Sequence, residues 1–201
     1  MSITLIITAI TGIVSFLGFS NPQLVSKLKH FPVREWRNGE WYRLFTCSLV
    51  HGGWMHLLVN MFVLWQFGGQ IERILDYYYP ATGKFAYLAI YVATVILANI
   101  PTALKYKHEP YYSAIGASGG VSGIVFMFIL FFPWEMLYIY GILPIPGIVA
   151  ALLYLGYSIW ASKNSRDNID HLAHLYGAVV GPLLLILYMP EALRIFLKAL
   201  L

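Results

Sequence analysis

Gly116-Ala117-Ser118-Gly119-Gly120-Val121-Ser122-Gly123 lies in the middle of residues 110–134, a run with no charged side chain. A serine nested among glycines is not the pattern of a surface helix, and lipid-facing helices rarely carry so much glycine. Glycine removes the side chain that keeps a neighbouring backbone away, so the stretch predicts a helix packed closely in a bundle. Ser118 is then one hydroxyl offered to an internal site. Further along, His174 stands in a second apolar run, Ala173-His174-Leu175-Tyr176-Gly177-Ala178-Val179-Val180-Gly181. A hydroxyl is a poor nucleophile until a neighbouring base takes its proton. Ser118 with His174 therefore predicts nucleophilic catalysis inside a bilayer.

The composition agrees with a bilayer. Of 201 residues, 59% are hydrophobic and 11% charged, whereas soluble domains carry about 25% charged residues. Charges divide the chain into uncharged stretches at 1–26, 44–71, 85–104, 110–134, 136–162 and 171–190. Each reaches the ~20 residues that cross a ~30 Å hydrocarbon core. The expected fold is an all-α integral membrane protein, a six-transmembrane-helix bundle forming one domain over 1–201 without a soluble domain. Helices are expected at about 2–20, 53–72, 85–104, 114–132, 136–160 and 170–189. Residues 2–17 lack a positive n-region and a small-x-small cleavage site, and are read as an uncleaved helix.

The connections carry their own signals. Residues 23–52 set Lys27, Lys29, Arg34, Arg37 and Arg43 among Trp36, Trp41 and Tyr42, a mixture suited to the membrane interface. Pro144 and Pro146 should break or kink the fifth helix. Asp170 is a candidate N-cap for the sixth. The tail from Pro190 reads as a short amphipathic segment at the interface. The net charge of +4 suits anionic lipid headgroups. The cations are scattered, without the basic stripe or recognition motif of a nucleic-acid binder. Cys47 is alone, so no internal disulfide can form.

Parity gives a geometric argument. The second, fourth and sixth helices run in one direction, so their N-terminal ends share a leaflet. His56 and Asn60 fall in the first two turns of the second. Ser118 is expected about one turn inside the fourth, and His174 about one turn inside the sixth. At ~1.5 Å per residue all four reach similar depth, roughly 6–10 Å below one surface. Attack on an amide creates an oxyanion that needs positioned donors. His56, Asn60 and the Ser118 backbone N–H are the candidates. Gly116, Gly119, Gly120 and Gly123 follow i, i+3, i+4, i+7 spacing, and Gly177 and Gly181 continue from His174. These glycines are expected to bring the two helices close enough for a Ser–His hydrogen bond. His51 is read as a brace for the loop above the second helix.

Other chemistries fit less well. Gly116 to Gly120 also matches the G-x-S-x-G elbow, but that motif needs the strand-turn-helix of a soluble α/β sheet. Nothing in the chain alternates with period two. Asp170, four residues before His174, could complete a triad, although capping explains it better. His171 and His174 lack the partners of a zinc pattern, so neither metal nor cofactor is expected.

Taken together, these residues resemble the rhomboid intramembrane serine proteases over nearly the whole chain. Gly116-Ala117-Ser118-Gly119 resembles the G-x-S-G motif, and Ala173-His174-Leu175-Tyr176-Gly177 with Gly181 the A-H-x-x-G-x-x-x-G motif. His56-Leu57-Leu58-Val59-Asn60 is similar to H-x-x-x-N, Trp41-Tyr42-Arg43 to the Trp-Arg loop motif, and Gly68-Gly69 with Glu72 to G-G-x-x-E. The resemblance implies a Ser–His dyad cleaving transmembrane protein substrates that enter between the second and fifth helices. It also implies a cytoplasmic N-terminus, with the site open to the extracytoplasmic face; the expected setting is the plasma (inner) membrane of a prokaryote. Two features depart from the family. A tyrosine often found four residues after the nucleophile is here Ser122. The implied topology also puts Lys27, Lys29, Arg34, Arg37, Arg43, Lys105, Lys107, Lys163 and Arg166 outside, against the positive-inside rule. The competing functions are a rhomboid-like pseudoprotease, which would lack Ser118 or His174, and a small transporter, which needs polar groups through the full membrane depth.

Overall fold

The computed structural model describes residues 1–139, 141–165 and 167–201. In chain order the helices are α1 (Ile3–Phe19), α2 (Pro22–Leu28), α3 (Pro32–Asn38), α4 (Arg43–Thr46), α5 (Trp54–Val63), α6 (Gly69–Tyr78), α7 (Gly83–Lys105) and α8 (Ser118–Phe131). Two strands follow, β1 (Met136–Ile139) and β2 (Leu143–Pro146), then α9 (Gly147–Asn164), α10 (His171–Tyr188) and α11 (Glu191–Leu200). By length and apolar composition α7 and α10 each suffice to cross a membrane. The bent pair Arg43–Leu49 and Trp54–Tyr78 adds a third, while α1 and α8 are apolar but shorter.

Helices α5 and α6 are joined without a break by a π-helical turn, Leu64–Gly68. Gly68 is needed there, because a Cβ would stand 2.5 Å from the Tyr87 hydroxyl of α7. Glu72 turns inward from α6 and caps α1, accepting from the Ile3 and Thr4 amides at 2.7 and 2.9 Å. A carboxylate at a helix N-terminus satisfies orphan N–H groups and opposes the helix dipole favourably. The core runs through Leu64, Ile71 and Leu75 to Tyr91, Ile124 and Leu185.

The first connection carries three short helices, α2, α3 and α4. Trp36 of α3 donates its indole N–H to Ala103 O of α7 at 3.0 Å. Arg43, almost fully buried, donates to Ser26 O, Lys29 O and Glu40 at 2.9, 3.0 and 2.6 Å. A buried guanidinium is tolerable only when paired and saturated in this way. Arg43 is therefore a structural charge that ties α2 to the start of α4. Arg166, another of the cations set against the positive-inside rule, lies outside the described residues.

Two expectations are corrected here. Residues 136–146 are not helical but form a β-hairpin, with Leu137 opposite Ile145 and Ile139 opposite Leu143. Pro144 and Pro146 therefore kink no helix. Lacking N–H groups, they exclude a helix interior yet are tolerated in an edge strand, and Gly141 supplies the turn at φ +73°. The fifth helix begins only at Gly147. The second correction concerns the fourth helix, which starts at Ser118 and not near 114. The tail, as expected, is a short helix, α11.

Candidate active site

Residues 113–117 approach α8 as irregular chain, and the first connection holds them. Ala114 exchanges backbone hydrogen bonds with His30 at 3.0 and 3.1 Å, and Gly116 N–H donates to Cys47 O at 2.9 Å. Ala117 N–H donates to His51 Nε2 at 3.3 Å. That bond makes Nε2 the acceptor, so the His51 proton sits on Nδ1 and is given to Ser15 Oγ at 2.8 Å. Ser15 in turn donates to Leu49 O at 2.8 Å. Burial pushes the His51 pKa down to about 3, keeping the ring neutral for this role. His51 thus braces the approach to Ser118 directly.

Gly116 is not part of the packing stripe expected of it. Its φ of +122° belongs to a turn that L side chains avoid, and a Cβ would lie 2.7 Å from His56 Cε1. The turn delivers Ser118 to the first position of α8. The first intrahelical rung here is Val121 N–H to Ala117 O at 3.0 Å, so the Ser118, Gly119 and Gly120 amides precede it. Helix N-termini present such amides together with the positive end of the dipole, a setting that favours anions.

His174 lies in the first turn of α10, whose start is fixed by Asp170. That carboxylate accepts from Ala173 N–H at 2.9 Å and from the Thr102 hydroxyl at 2.8 Å. It is an N-cap and is not spent on the imidazole. His171 pairs instead with Asp167 at 3.0 Å. Ser118 Oγ and His174 Nε2 are 2.6 Å apart, so with the hydroxyl donating, the imidazole proton resides on Nδ1.

Backbone contact between α8 and α10 makes that distance possible. A Cβ at Gly177 would collide with Gly119 O, and one at Gly181 would stand 2.7 Å from Gly123 Cα. Gly120 points elsewhere, against Val95 and Tyr91 of α7. The expected single stripe is therefore divided: Gly119 and Gly123 meet both α10 and α7, Gly120 meets α7 alone, and Gly116 makes the turn.

His56 lies against Gly116, and Gly52 N–H approaches its Nδ1 at 3.4 Å, leaving Nε2 as the hydrogen-bearing nitrogen. Asn60 is buried, and its amide donates to His56 O at 2.8 Å. Neither side chain is bonded to Ser118. His56 faces the approach to Ser118, and Asn60 stands one turn further along α5.

A cavity of about 260 Å³ opens beside Ser118, lined by α5, α8, β1, α9 and α10. Its walls are Val63, Val121, Val125, Phe126, Ile129 and Leu137, with Ser118, Ser122, Tyr154 and His174 as one polar corner. It is more apolar than the hydrated pocket that hydrolysis suggests. A groove of about 680 Å³ between α5 and the hairpin shares Val63, Val125 and Leu137 with it.

Sequence reading missed Tyr154. Its ring lies 6.4 Å from that of His174, with planes 22° from parallel, and its hydroxyl is 2.5 Å from Ser122 Oγ. A signal was present: Gly147, Ala151, Ser158 and Ala161 repeat at helical spacing and are buried, with Tyr154 on the same stripe.

Comparison with known proteins gives the family. The rhomboid domain model matches residues 38–191. The rhomboid-family protein YdcA of Bacillus subtilis is 33% identical over 150 residues, covering 73% of this chain and 67% of that protein. The rhomboid protease GlpG of Haemophilus influenzae is 26% identical over 183 residues, 89% of this chain and 86% of its own length. The rhomboid protease GluP of B. subtilis is 31% identical over 143 residues, 71% of this chain but 25% of that protein. The chain also spans 51% of the chloroplastic rhomboid-like protein 11 of Arabidopsis thaliana, so several relatives are considerably longer. The chain belongs to the rhomboid family, and it is an integral membrane protein.

Proposed function

We propose that this chain is a serine endopeptidase that cuts peptide bonds in or near transmembrane segments. The observation that carries the reading is the 2.6 Å Ser118 Oγ–His174 Nε2 contact at the N-terminus of α8. His174 takes the hydroxyl proton as Ser118 Oγ adds to the scissile carbonyl. The oxyanion faces the Ser118 amide and its neighbours at the helix N-terminus, with His56 and Asn60 turning toward it from α5. Collapse of the tetrahedral adduct sends the proton from His174 to the leaving amine. Water, activated by the same imidazole, then releases the acyl group.

We take α1, the α5–α6 rod, α7, α8, α9 and α10 as six crossings of a prokaryotic plasma membrane. The site then opens to the extracytoplasmic face, with membrane lipids around the bundle. Substrate helices approach between α5 and α9, where the groove beside the hairpin joins the cavity at Ser118.

The test is labelling of Ser118 by a fluorophosphonate, together with cleavage of a transmembrane reporter by the purified chain in liposomes. Wild type should do both. Ser118→Ala and His174→Ala should lose on the order of 10⁴-fold or more in turnover while remaining folded. Cleavage that survives either substitution would remove the dyad. A folded wild type that neither labels nor cuts would leave a rhomboid-like binding protein instead.

A further inference from the structure

Tyr154 is a large side chain on the inward stripe of α9. The others, Gly147, Ala151, Ser158 and Ala161, are small and buried. Leu152, Leu153, Ile159 and Trp160 are exposed, as suits a face turned to lipid, while Tyr157 sets its ring edge-on against His171 of α10, with centroids 5.6 Å apart. Lipid contact does not explain Tyr154, which reaches into the cavity beside Ser118 and His174. Phe126 of α8 supports its ring, with centroids 5.6 Å apart.

Its hydroxyl has a defined direction. Ser122 Oγ lies 2.8 Å from Ser118 O and 2.5 Å from the Tyr154 hydroxyl. The Ser118 carbonyl can only accept, so the Ser122 proton goes to it. The Tyr154 O–H then donates to Ser122 Oγ. The chain of bonds runs from α9 through Ser122 to the carbonyl of the nucleophile's own residue, while the Tyr154 ring lies nearly parallel to the His174 imidazole.

We infer that Tyr154 is the positioning residue for His174: its ring sets the imidazole plane, and its hydroxyl, held by Ser122, sets the ring. The inference rests on the proteolytic reading of Ser118 and His174. It has a structural consequence. α9 packs on α10 and α8 beside the hairpin, and the substrate route passes along it. Displacing α9 would break the Tyr154–Ser122 bond and release the imidazole, so the reactive geometry exists only while α9 is docked. Substrate entry and dyad alignment thereby share one side chain.

Purified full-length variants in liposomes test this, with kcat and KM for a transmembrane reporter and the rate of fluorophosphonate labelling. Tyr154→Ala should lose about 10²-fold in kcat and labelling, the scale of a misplaced reacting group, with KM nearly unchanged. Tyr154→Phe keeps the ring and should lose only about fivefold, the worth of one hydrogen bond. Ser122→Ala should lose the same amount, and combining it with Tyr154→Phe should cost no more, because both remove one link. Phe restoring most of what Ala loses, at constant KM, distinguishes positioning from bulk packing. Wild-type kcat in Tyr154→Ala would overturn the inference and leave the dyad standing. So would additive losses in the double variant, or a rise in KM alone. An inert wild type with the Ser118 and His174 variants equally inert would instead remove the proteolytic reading and the inference with it.

Discussion

The two sides of Ser118 are built on opposite principles. Toward α10 the backbones touch, and at Gly177 not even a methyl group fits. Toward α5 and α9 there is a cavity, an adjoining groove and a short hairpin. On the closed side, positions are set by hard contact, and packed interiors resist deformation. On the open side, the Tyr154–His174 ring pair and the Tyr154–Ser122 hydroxyl pair span the gap. On the proposed reading, the difference is that between holding a nucleophile and its base in register and admitting a substrate to them.

The comparison can be broken first at the donors bordering the open side. Asn60→Ala should cost about 10²-fold in kcat, and His56→Ala as much or somewhat more, the usual loss for one oxyanion donor. Some turnover should remain, because the helix N-terminal amides are untouched. Wild-type kcat in both variants would assign the pair to packing alone.

Glycine-to-alanine exchanges sharpen the contrast, because one substitution should differ in sign between the closed seam and an exposed helix face. Gly177→Ala forces a Cβ into Gly119 O and should destabilise by about 1–3 kcal/mol, with loss of labelling as Ser118 and His174 are pushed apart. Gly156 of α9 has nothing within 4 Å of a Cβ, so Gly156→Ala should be neutral or stabilise by up to about 1 kcal/mol. Thermal unfolding in detergent micelles measures both. Equal destabilisation at the two sites would deny that the α8–α10 seam is set by hard contact.

The smallest effect concerns the brace behind Ser118. His51 is neutral in the folded protein, its pKa lowered to about 3 by burial, against about 6.5 when unfolded. The unfolded chain therefore gains a proton that the native state refuses. His51 contributes full stability above about pH 6.5, and loses it progressively as pH falls toward about 3. Between about pH 7.5 and pH 6 the loss should stay under ~1 kcal/mol. The stability gap between wild type and His51→Gln should narrow by that amount. A gap constant across this range would show that His51 is not held neutral.

Much of the site was legible because its chemistry is carried by rare polar residues in apolar runs. Ser118 and His174 stood out against their surroundings, and Asp170 showed a cap's spacing from Ala173. Glycine spacing indicated close helices but not which neighbour each glycine meets, since a stripe on one helix does not name its partners. Tyr154 was overlooked for the converse reason. Among 15 tyrosines, one more on a lipid-length helix carries no mark until its hydroxyl is seen beside Ser122.

By itself the sequence determined a membrane bundle of rhomboid type and the polar groups that could act within it. Hydropathy and motif spacing are local properties, readable along the chain. Only the tertiary structure decided that 136–146 pair as strands, because prolines exclude a helix interior but do not say what replaces it. It alone put Ser118 at the first position of α8, since that start depends on His30, Cys47 and His51 taking hold of residues 114–117. And it alone brought Tyr154 of α9 over His174 of α10, a contact between helices whose relative rotation is settled by packing and by no single segment.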